Sequence, residues 1–399
     1  MNTTPNSLRR HIGIFGGANA GKSALFNKII NQDMAIVSDK KGTTTDPVKK
    51  AMELIGLGPV VFVDTAGLSD GTELGKIREE KTLSEIKKLD FALLLTDGKN
   101  NFKEDYKKVI DSFKKYNIPY ITVISKADLL RNEEKEALKK EFENPLFISI
   151  KDESSVEALK DKIIEKLNKL TDEKESMLDK IVNKNDDVVL VVPVDSEAPE
   201  GRLILPQVQT IRECLDMGAF CHICREDSLK DMIDSLGKTD IVITDSQIFK
   251  TVNEIVPKDI KLTSFSMLMA KKKGELKIFF EGVKAVESLD DGDCVLVAEV
   301  CTHSTSHEDI GKVKIPTLLK NKTGKELNFE FSSGFSFPEN LDKYKLIIHC
   351  GGCMITRKQM LSRIADIKEE NIPVVNYGVL LAYLTGAYDR QKDVFKDII

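Results

Sequence analysis

The chain has 399 residues, of which 41% are hydrophobic and 31% charged, and its formal net charge is −5. This length exceeds what one hydrophobic core usually serves, so we expect two or three domains. Lysine and arginine are scattered rather than blocked, which argues against a nucleic-acid partner, and no apolar run approaches the roughly 18 residues that span a bilayer. Because Met1–Arg10 is polar and lacks a signal-peptide pattern, we expect a cytoplasmic protein without membrane partners.

The first part of the chain, from His11 to about Leu170, alternates short apolar stretches with longer amphipathic ones. This alternation is typical of βαβ units around a mostly parallel sheet, so we expect an α/β domain here. The predicted elements are strands at Ile12–Phe15, Val60–Val63, Phe91–Thr96, Tyr120–Ile124 and Leu146–Ile148, and a helix at Lys103–Tyr116.

The segment Gly16–Ser23 reads GGANAGKS and lies between the first strand and a helical pattern that starts at Ala24. It is a phosphate-binding loop, or P-loop, in its required strand–loop–helix context. Backbone N–H groups of such a loop surround the phosphates, and the helix N-terminus adds a favourable dipole. Lys22 is expected to reach the β- and γ-phosphates, and the Ser23 hydroxyl to bind Mg²⁺. The nucleotide-binding residues expected in this segment are Gly16, Asn19, Ala20, Gly21, Lys22, Ser23 and Ala24.

Two further segments are placed to act on the metal and the γ-phosphate. The segment Asp64–Gly67, DTAG, ends the strand at Val60–Val63, which puts Asp64 at the sheet edge where Mg²⁺ is expected. The backbone amide of Gly67 can approach the γ-phosphate. The segment Gly42–Asp46, GTTTD, lies between a helix and a strand, where a switch would supply a hydroxyl to the metal.

Two more segments have the composition of a guanine site, and each follows a predicted strand. In Ser125–Asp128, SKAD, the Asp128 carboxylate can accept the guanine N1 and N2 hydrogens, and the Lys126 stem can pack on the base. The segment Ser149, Ile150 and Lys151 can place a backbone amide on the guanine oxygen. Because all five segments occur in the right order, we predict a P-loop GTPase domain that binds GTP and GDP.

The group that orients the attacking water is not evident. Leu68, not glutamine, follows the DTAG segment, and the glutamates of the next stretch are better explained as a solvated helix face. We therefore expect slow hydrolysis in which the metal and Lys22, Thr44 and Gly67 supply the catalytic contacts without a dedicated base.

The remainder of the chain predicts two smaller α/β domains after a charged run at Thr171–Asp187. The expected strands are Val188–Val194, Asp240–Thr244, Cys294–Val300 and Lys345–Ile348, and the expected helices are Gln207–Asp216, Thr356–Glu369 and Val379–Leu384. We assign residues 1–172 to the GTPase domain, 173–187 to a linker, 188–263 to a second domain and 264–399 to a third.

Cysteine and histidine residues follow two strands of the third domain. Cys301 and His303 come after Cys294–Val300, and the segment His349–Cys353, HCGGC, comes after Lys345–Ile348. Carboxyl ends of neighbouring parallel strands share one sheet edge, so the thiols and imidazoles could converge there. Three thiolates and a histidine suit zinc, and three thiolates with an open corner suit a 4Fe–4S cluster. The spacing alone does not distinguish a zinc site from a 4Fe–4S cluster, and buried thiols without a metal are a third interpretation. Cys221 and Cys224 are interpreted as cysteines that pack in a hydrophobic core.

The first domain resembles the Era and TrmE class of GTPases, whose P-loop reads GxxNAGKS and whose first switch reads GTTxD. The resemblance implies that Asn19 helps to bind an activating K⁺ ion and that Thr44, or less readily Thr43, binds Mg²⁺. The guanine motif of that class begins with asparagine, whereas this chain has Ser125. The shorter hydroxyl is expected to hold the loop and the base less well, while specificity rests on Asp128.

Seven segments beyond the first domain resemble the HydF family, the GTPases that mature FeFe hydrogenase. They are Pro193–Pro199, Gly201–Thr210, Thr244–Gln247, Leu262–Ser266, Ala298–His303, Asp309–Pro316 and His349–Cys353. The resemblance covers essentially the whole chain and implies that the second domain is a dimerisation domain, so that the chain forms at least a homodimer.

The same resemblance implies that Cys301, Cys350 and Cys353 of the third domain bind a 4Fe–4S cluster with one exchangeable iron site. It places His303 and His349 close to that site, where they would tune the cluster or receive its cargo rather than ligate the cluster permanently. The implied cargo is a transient diiron precursor that carries carbon monoxide, cyanide and a dithiolate bridge. The chain would pass it to apo FeFe hydrogenase after two radical-SAM enzymes have acted upstream, with GTP as a switch.

Two other functions are compatible with parts of the pattern. A ribosome- or RNA-associated GTPase of the Era class with a structural zinc domain would need a basic face, which the sequence lacks. An electron-transfer protein with a regulatory GTPase domain would carry a fully ligated cluster that does not respond to added small ligands.

Overall fold

The structure of the protein is a computed structural model that describes residues 4–17, 19–32, 48–65, 82–98, 103–171, 176–193, 203–300, 310–338 and 340–399. The chain divides into two compact units, unit 1 at Met1–Lys174 and unit 2 at Glu175–Ile399. Both are α/β, and unit 1 carries the P-loop on a mostly parallel sheet, so the predicted fold class is confirmed. No helix in these described ranges has the length and apolar character of a membrane span.

Unit 1 is built on a sheet with the strand order β2-β3-β1-β4-β5-β6. All of its pairings are parallel except that of β2 with β3. Its strands are β1 (Arg10–Gly16), β2 (Val48–Leu54), β3 (Gly58–Asp64), β4 (Phe91–Thr96), β5 (Tyr120–Ile124) and β6 (Leu146–Phe147). Its helices are α1 (Lys22–Gln32), α2 (Lys103–Lys115), α3 (Asn132–Glu141) and α4 (Glu153–Thr171).

The central strands of unit 1 are apolar on both faces because helices cover both sides of the sheet. Ile12 and Ile14 of β1 point into a core that includes Phe26 of α1 and Leu159 of α4, whereas Phe15 points into a second core with α2. The carboxyl ends of β1, β3, β4 and β5 consequently meet at one edge, where the predicted nucleotide-binding segments begin.

Unit 2 contains two parallel sheets, with the strand orders β10-β9-β7-β8 and β12-β11-β13-β14. The strands are β7 (Asp187–Val191), β8 (Phe220–Cys224), β9 (Ile241–Thr244), β10 (Lys261–Ser264), β11 (Cys294–Glu299), β12 (Asn328–Ser333), β13 (Tyr344–His349) and β14 (Val374–Asn376). The helices are α5 (Leu205–Met217), α6 (Leu229–Leu236), α7 (Phe249–Ile255), α8 (Phe265–Lys273), α9 (Leu276–Gly282), α10 (Ile315–Thr323), α11 (Arg357–Glu369), α12 (Tyr377–Leu384) and α13 (Tyr388–Asp393).

One hydrophobic core extends through both sheets of unit 2 and includes α8, so the boundary predicted between residues 263 and 264 lies inside this unit. Part of the predicted linker 173–187 packs against this core. Met177 and Leu178 are fully buried in the same core, and the Lys271 ammonium donates to the carbonyl oxygens of Ser176 and Asp179, each at 2.8 Å. A charged run therefore packs here through its few apolar side chains and its backbone carbonyls.

Candidate nucleotide and cluster sites

The P-loop folds around its own lysine. The Lys22 ammonium donates hydrogen bonds to the carbonyl oxygens of Gly16 and Gly17, at 2.9 and 3.0 Å. Burial lowers the pKa of Lys22, and the nearby Asp64 carboxylate opposes that shift. Ala24, in the first turn of α1, is exposed. A buried cation that has only carbonyl partners within the loop is well placed to receive the oxygens of a phosphate.

A close backbone approach explains one of the P-loop glycines, and a left-handed backbone conformation explains another. A Cβ atom on Gly16 would lie 2.4 Å from the carbonyl oxygen of Leu95, and Gly21 has a φ of +87°. The same region contains a residue that the sequence analysis missed. The Tyr106 hydroxyl donates to the Leu95 carbonyl oxygen at 2.6 Å and accepts the Gly17 N–H at 3.3 Å, so it ties the P-loop to β4.

Two predicted magnesium ligands meet beside the P-loop. The Ser23 hydroxyl donates to Asp64 Oδ2 at 3.0 Å, whereas Asp64 Oδ1 is buried without a hydrogen-bond partner in the described part of the chain. Burial raises the pKa of Asp64, and the Ser23 hydrogen bond opposes the rise. A hydroxyl and an unsatisfied carboxylate oxygen suit a hard divalent cation. Thr43, Thr44 and Gly67 lie outside the described residues.

The SKAD segment is bonded directly to the P-loop. The Ser125 hydroxyl donates to the Ala20 carbonyl oxygen at 2.7 Å. The Lys126 ammonium donates to the Asn19 carbonyl oxygen at 2.7 Å and to Asp97 Oδ2 at 3.3 Å. Serine therefore reaches the P-loop despite its short side chain, so the expected loss of loop anchoring at this position is not complete.

Asp128, the residue expected to bind guanine, already has two partners. Its Oδ1 accepts the Ser149 hydroxyl at 2.9 Å, and its Oδ2 accepts the exposed Lys151 ammonium at 3.0 Å. Hydrogen bonds from Lys151 and then Ser149 lower the pKa of Asp128. Ile150 between them is 45% exposed. The carboxylate is thus ionised and oriented, and an incoming base would have to displace the lysine.

The predicted cluster segment begins at the carboxyl end of β13. β11 pairs in parallel with β13, in a register that places Ala298 beside His349. The Cys350 N–H donates to the Ala298 carbonyl oxygen at 3.0 Å. Burial raises the pKa of the Cys350 thiol, and backbone hydrogen bonds with Gly352 and Val300 oppose the rise. Cys350 therefore lies close to the residue that precedes Cys301.

The turn that follows Cys350 is tight. Gly352 has a φ of +61°, and a Cβ atom there would lie 2.4 Å from Met360 Cε. Cys353 is partly buried. Among residues 4–300, 310–338 and 340–399, less their internal gaps, no three His, Cys, Asp or Glu side chains form a group that could hold a metal ion. The predicted ligands Cys301 and His303 lie outside the described residues.

The His349 side chain, expected close to the cluster site, is held inside the protein. Its imidazole is fully buried, and Nε2 accepts the Arg363 Nε–H at 2.7 Å, so Nδ1 is the nitrogen that donates to the Cys350 carbonyl oxygen, also at 2.7 Å. Burial and then the Arg363 charge lower the pKa of His349 to about 3. The ring is neutral, and both nitrogens are engaged within the protein, so neither is available to iron or cargo in this arrangement.

Three family models match successive parts of the chain. Residues 11–126 match the 50S ribosome-binding GTPase family. Residues 177–274 match the Hydrogen maturase F dimerization domain, and residues 277–394 match the Hydrogen maturase F tetramerization domain.

Curated relatives are similar to the first part of the chain. GTPase Der of Thermotoga neapolitana is 35% identical over 161 residues, which cover 39% of this chain and 36% of the relative. The tRNA modification GTPase MnmE of Treponema denticola is 37% identical over 166 residues, which cover 39% and 34% respectively. The chain thus spans about a third of the length of these relatives.

Solved structures give weaker similarities. Era of Aquifex aeolicus bound to GDP and AlF4⁻ is 18% identical, with 53% of this chain and 91% of that one covered and a TM-score of 0.32. The G domain of the T. maritima iron transporter FeoB is 20% identical, with 39% and 98% covered and a TM-score of 0.29. The family models do identify the chain: a GTPase domain followed by two domains particular to Hydrogen maturase F makes this protein a member of the HydF family of hydrogenase maturation GTPases.

Proposed function

We propose that this GTPase is a scaffold that holds a 4Fe–4S cluster, receives a diiron precursor and delivers the diiron unit to apo FeFe hydrogenase. The observation that carries the proposal is the position of Cys350. Its thiol lies at the carboxyl edge of the β11–β13 sheet, beside Val300, the residue before Cys301. Cys301, Cys350 and Cys353 would be the ligands. When bound, the cluster would supply an iron site that an incoming cargo can occupy.

The local structure removes one of the two histidines that could complete a structural zinc site and leaves only His303 for that role. Zinc would need a fourth protein ligand for a closed tetrahedral site, and His349 is not free to provide it because Arg363 and Cys350 engage both of its nitrogens. The turn at Gly352 brings backbone close to the thiols, where N–H groups can stabilise sulfur charge. A carrier also benefits from an incomplete ligand set, because its cargo must leave.

The GTPase domain would bind Mg²⁺·GTP and hydrolyse it slowly. Lys22 would hold the phosphates, Ser23 and Asp64 would hold the metal together with Thr44, and Gly67 would contact the γ-phosphate. Asn19 would help to hold K⁺. Lys126, Asp128 and Ser149–Lys151 would hold the base, after Lys151 has moved away from the carboxylate.

Nucleotide state would control the exchange of partners rather than drive the cargo chemistry. Contacts with the γ-phosphate reorganise switch segments in this kind of domain, and such segments bias neighbouring surfaces. The partners would be two radical-SAM maturation enzymes, which build the precursor, and apo FeFe hydrogenase, which receives it. A Lys22→Ala variant should bind GTP poorly and fail in maturation; normal maturation by that variant would refute the switch.

The described part of the β10-β9-β7-β8 sheet also offers a surface for self-association. β8 is an edge strand, and Phe220 and Ile223 on it are 54% and 46% exposed. Leu215, on the preceding helix, is 65% exposed. An edge strand with exposed apolar side chains is a site where another chain can pair, and we take this surface as the dimer contact.

Metal and sulfide analysis with EPR tests the central proposal. The samples are the anaerobically reconstituted full chain and its Cys301→Ser, Cys350→Ser, Cys353→Ser triple variant. About four irons and four sulfides per chain, lost in the variant, would support the scaffold and make diiron transfer to apo-hydrogenase the next assay. One zinc without sulfide would refute it and favour a GTPase with a zinc domain.

A further inference from the structure

A positive charge is buried next to the cluster segment. Arg363, on α11, is only 1% exposed and is the largest of the fully buried side chains in the described residues. Its guanidinium carbon lies 4.0 Å from the ring centroid of Phe337 and 5.7 Å from that of Phe335. The Nη1 group donates to the carbonyl oxygens of Gly334 and Phe335.

All of these partners are electrically neutral. The Nε–H group donates to the neutral His349 ring at 2.7 Å, and Nη2 is buried without a hydrogen-bond partner in the ranges that the structure describes. None of the ion pairs found in those ranges includes Arg363, although Asp366 acts on it from one turn along the helix. A buried cation is unfavourable unless an opposite charge lies close to it.

Arg363 is connected to the cluster segment by a short relay. It bonds to His349, and His349 Nδ1–H donates to the carbonyl oxygen of Cys350 at 2.7 Å. Burial lowers the pKa of Arg363 to about 10, and the nearby Cys350 and Asp366 side chains oppose that shift. A negative charge that forms at the Cys350 sulfur would therefore lie close to the guanidinium.

We propose that Arg363 is the buried countercharge of the cluster held by Cys350 and Cys353 and that it sets the reduction potential of that cluster. This inference rests on the proposed function, because it requires a cluster at those thiols. The guanidinium acts through space and through His349 and does not ligate iron, so it is a positioning and tuning residue.

The direction of the effect follows from charge. Thiolate-ligated clusters are anionic, and reduction adds one more negative charge. A fixed cation nearby stabilises the reduced form more than the oxidised form, so it raises the reduction potential. The anionic cluster would also supply an opposite charge to the buried Arg363 cation. Cluster loading should therefore stabilise the wild-type protein more than a variant that lacks the Arg363 charge.

Two variants and one control separate charge from shape. Arg363→Met removes the charge and keeps an unbranched apolar side chain. Arg363→Lys keeps the charge but replaces the planar guanidinium group with an ammonium group. Lys368→Met removes the same charge from the same helix at an exposed position, where Lys368 pairs with Glu275 at 3.6 Å. The full-length proteins are reconstituted anaerobically and compared by iron and sulfide content, EPR-monitored redox titration and thermal unfolding with and without cluster.

For Arg363→Met we expect a shift of about tenfold in the one-electron reduction equilibrium toward the oxidised form, which is about 59 mV. We expect a smaller gain in melting temperature on loading than in wild type. Arg363→Lys and Lys368→Met should keep a potential near that of wild type.

Equal potentials in wild type and Arg363→Met would overturn the inference while the proposed function stands. If Arg363→Met does not fold or load, Arg363→Lys decides: a near-wild-type potential supports a charge role, and loss of the cluster or a tenfold shift overturns it. A wild-type protein that takes up no iron and sulfide would refute the proposed function, and the countercharge with it.

Discussion

The hydroxyl of Ser125 donates a 2.7 Å hydrogen bond to the carbonyl oxygen of Ala20, so the segment expected to hold guanine is bonded directly to the P-loop. Both groups are buried. The bond therefore couples the loop that would hold the base to the loop that would hold the phosphates, and a serine makes it where similar GTPases have asparagine.

Ser125→Ala should weaken the binding of both GTP and GDP by roughly tenfold. The reason is that removal of the hydroxyl leaves the buried Ala20 carbonyl oxygen without its partner, a loss on the order of 1–2 kcal/mol. Titration with a fluorescent guanine nucleotide measures the effect. Ser112→Ala is the control, because its exposed hydroxyl donates only within α2, to the Lys108 carbonyl oxygen. Unchanged affinity in Ser125→Ala would show that the bond to Ala20 does not organise the site.

Lys151→Ala should strengthen guanine-nucleotide binding by a few fold. The Lys151 ammonium holds Asp128 Oδ2 at 3.0 Å, so it competes with the base for the carboxylate. The gain is expected to be small because an exposed ion pair contributes little.

The matched control for this change is Lys139→Ala, which breaks an exposed pair with Glu136 on α3. Calorimetric titration with GDP compares the two variants. Weaker binding in Lys151→Ala alone would mean that the lysine contacts the nucleotide instead of competing with it.

The architecture of unit 1 could be predicted because its strands are buried on both faces. Such strands appear in the sequence as unbroken apolar runs, and the predicted strands Phe91–Thr96 and Tyr120–Ile124 have the same bounds in the structure. The P-loop could also be predicted, since its glycines and its lysine are adjacent in the chain and are required by backbone geometry and charge.

Contacts between residues far apart in the chain could not be predicted in this way. Tyr106 is 89 residues from the Gly17 amide that it holds, and on its own it reads as one apolar position of an amphipathic helix. Arg363 likewise lies among the charged residues of α11, and it is buried by residues distant in the chain: the His349 ring and the aromatic rings of Phe335 and Phe337. Met177 and Leu178 were assigned to a linker because the core that covers them comes from distant segments.

Asp64→Asn should stabilise the nucleotide-free protein at neutral pH while it abolishes stabilisation by Mg²⁺ with nucleotide. Burial raises the folded-state pKa of Asp64 above the ordinary 3.8. Between the ordinary and the raised pKa the folded state binds more protons than the unfolded state, so stability falls as the pH rises through that window. Above that pH window the Asp64 carboxylate is charged and buried in the folded state, and the cost of burying this charge lowers the free energy of unfolding. A neutral asparagine does not carry that cost.

Thermal unfolding at several pH values tests this prediction. The advantage of Asp64→Asn should be largest at neutral pH and should vanish once the pH lies below the ordinary aspartate pKa. Wild type, but not the variant, should gain melting temperature when Mg²⁺ and GDP are added together. A variant that is less stable than wild type at neutral pH would mean that the carboxylate has a partner outside the described residues.

Phe220→Asp should convert the oligomer to smaller species without loss of fold. Phe220 is 54% exposed on the edge strand β8, and a charge on such an edge discourages pairing with another chain. An unpaired carboxylate buried at the contact would cost several kcal/mol, as it does inside a protein, and this cost would weaken the association of subunits on the order of a thousandfold.

Size-exclusion chromatography with light scattering measures the mass of the variant. Ile55→Asp is the control, since Ile55 is 81% exposed in the turn between β2 and β3, in unit 1. If both variants keep the wild-type mass, the contact lies on another face; if Phe220→Asp alone dissociates, the β8 edge joins the subunits.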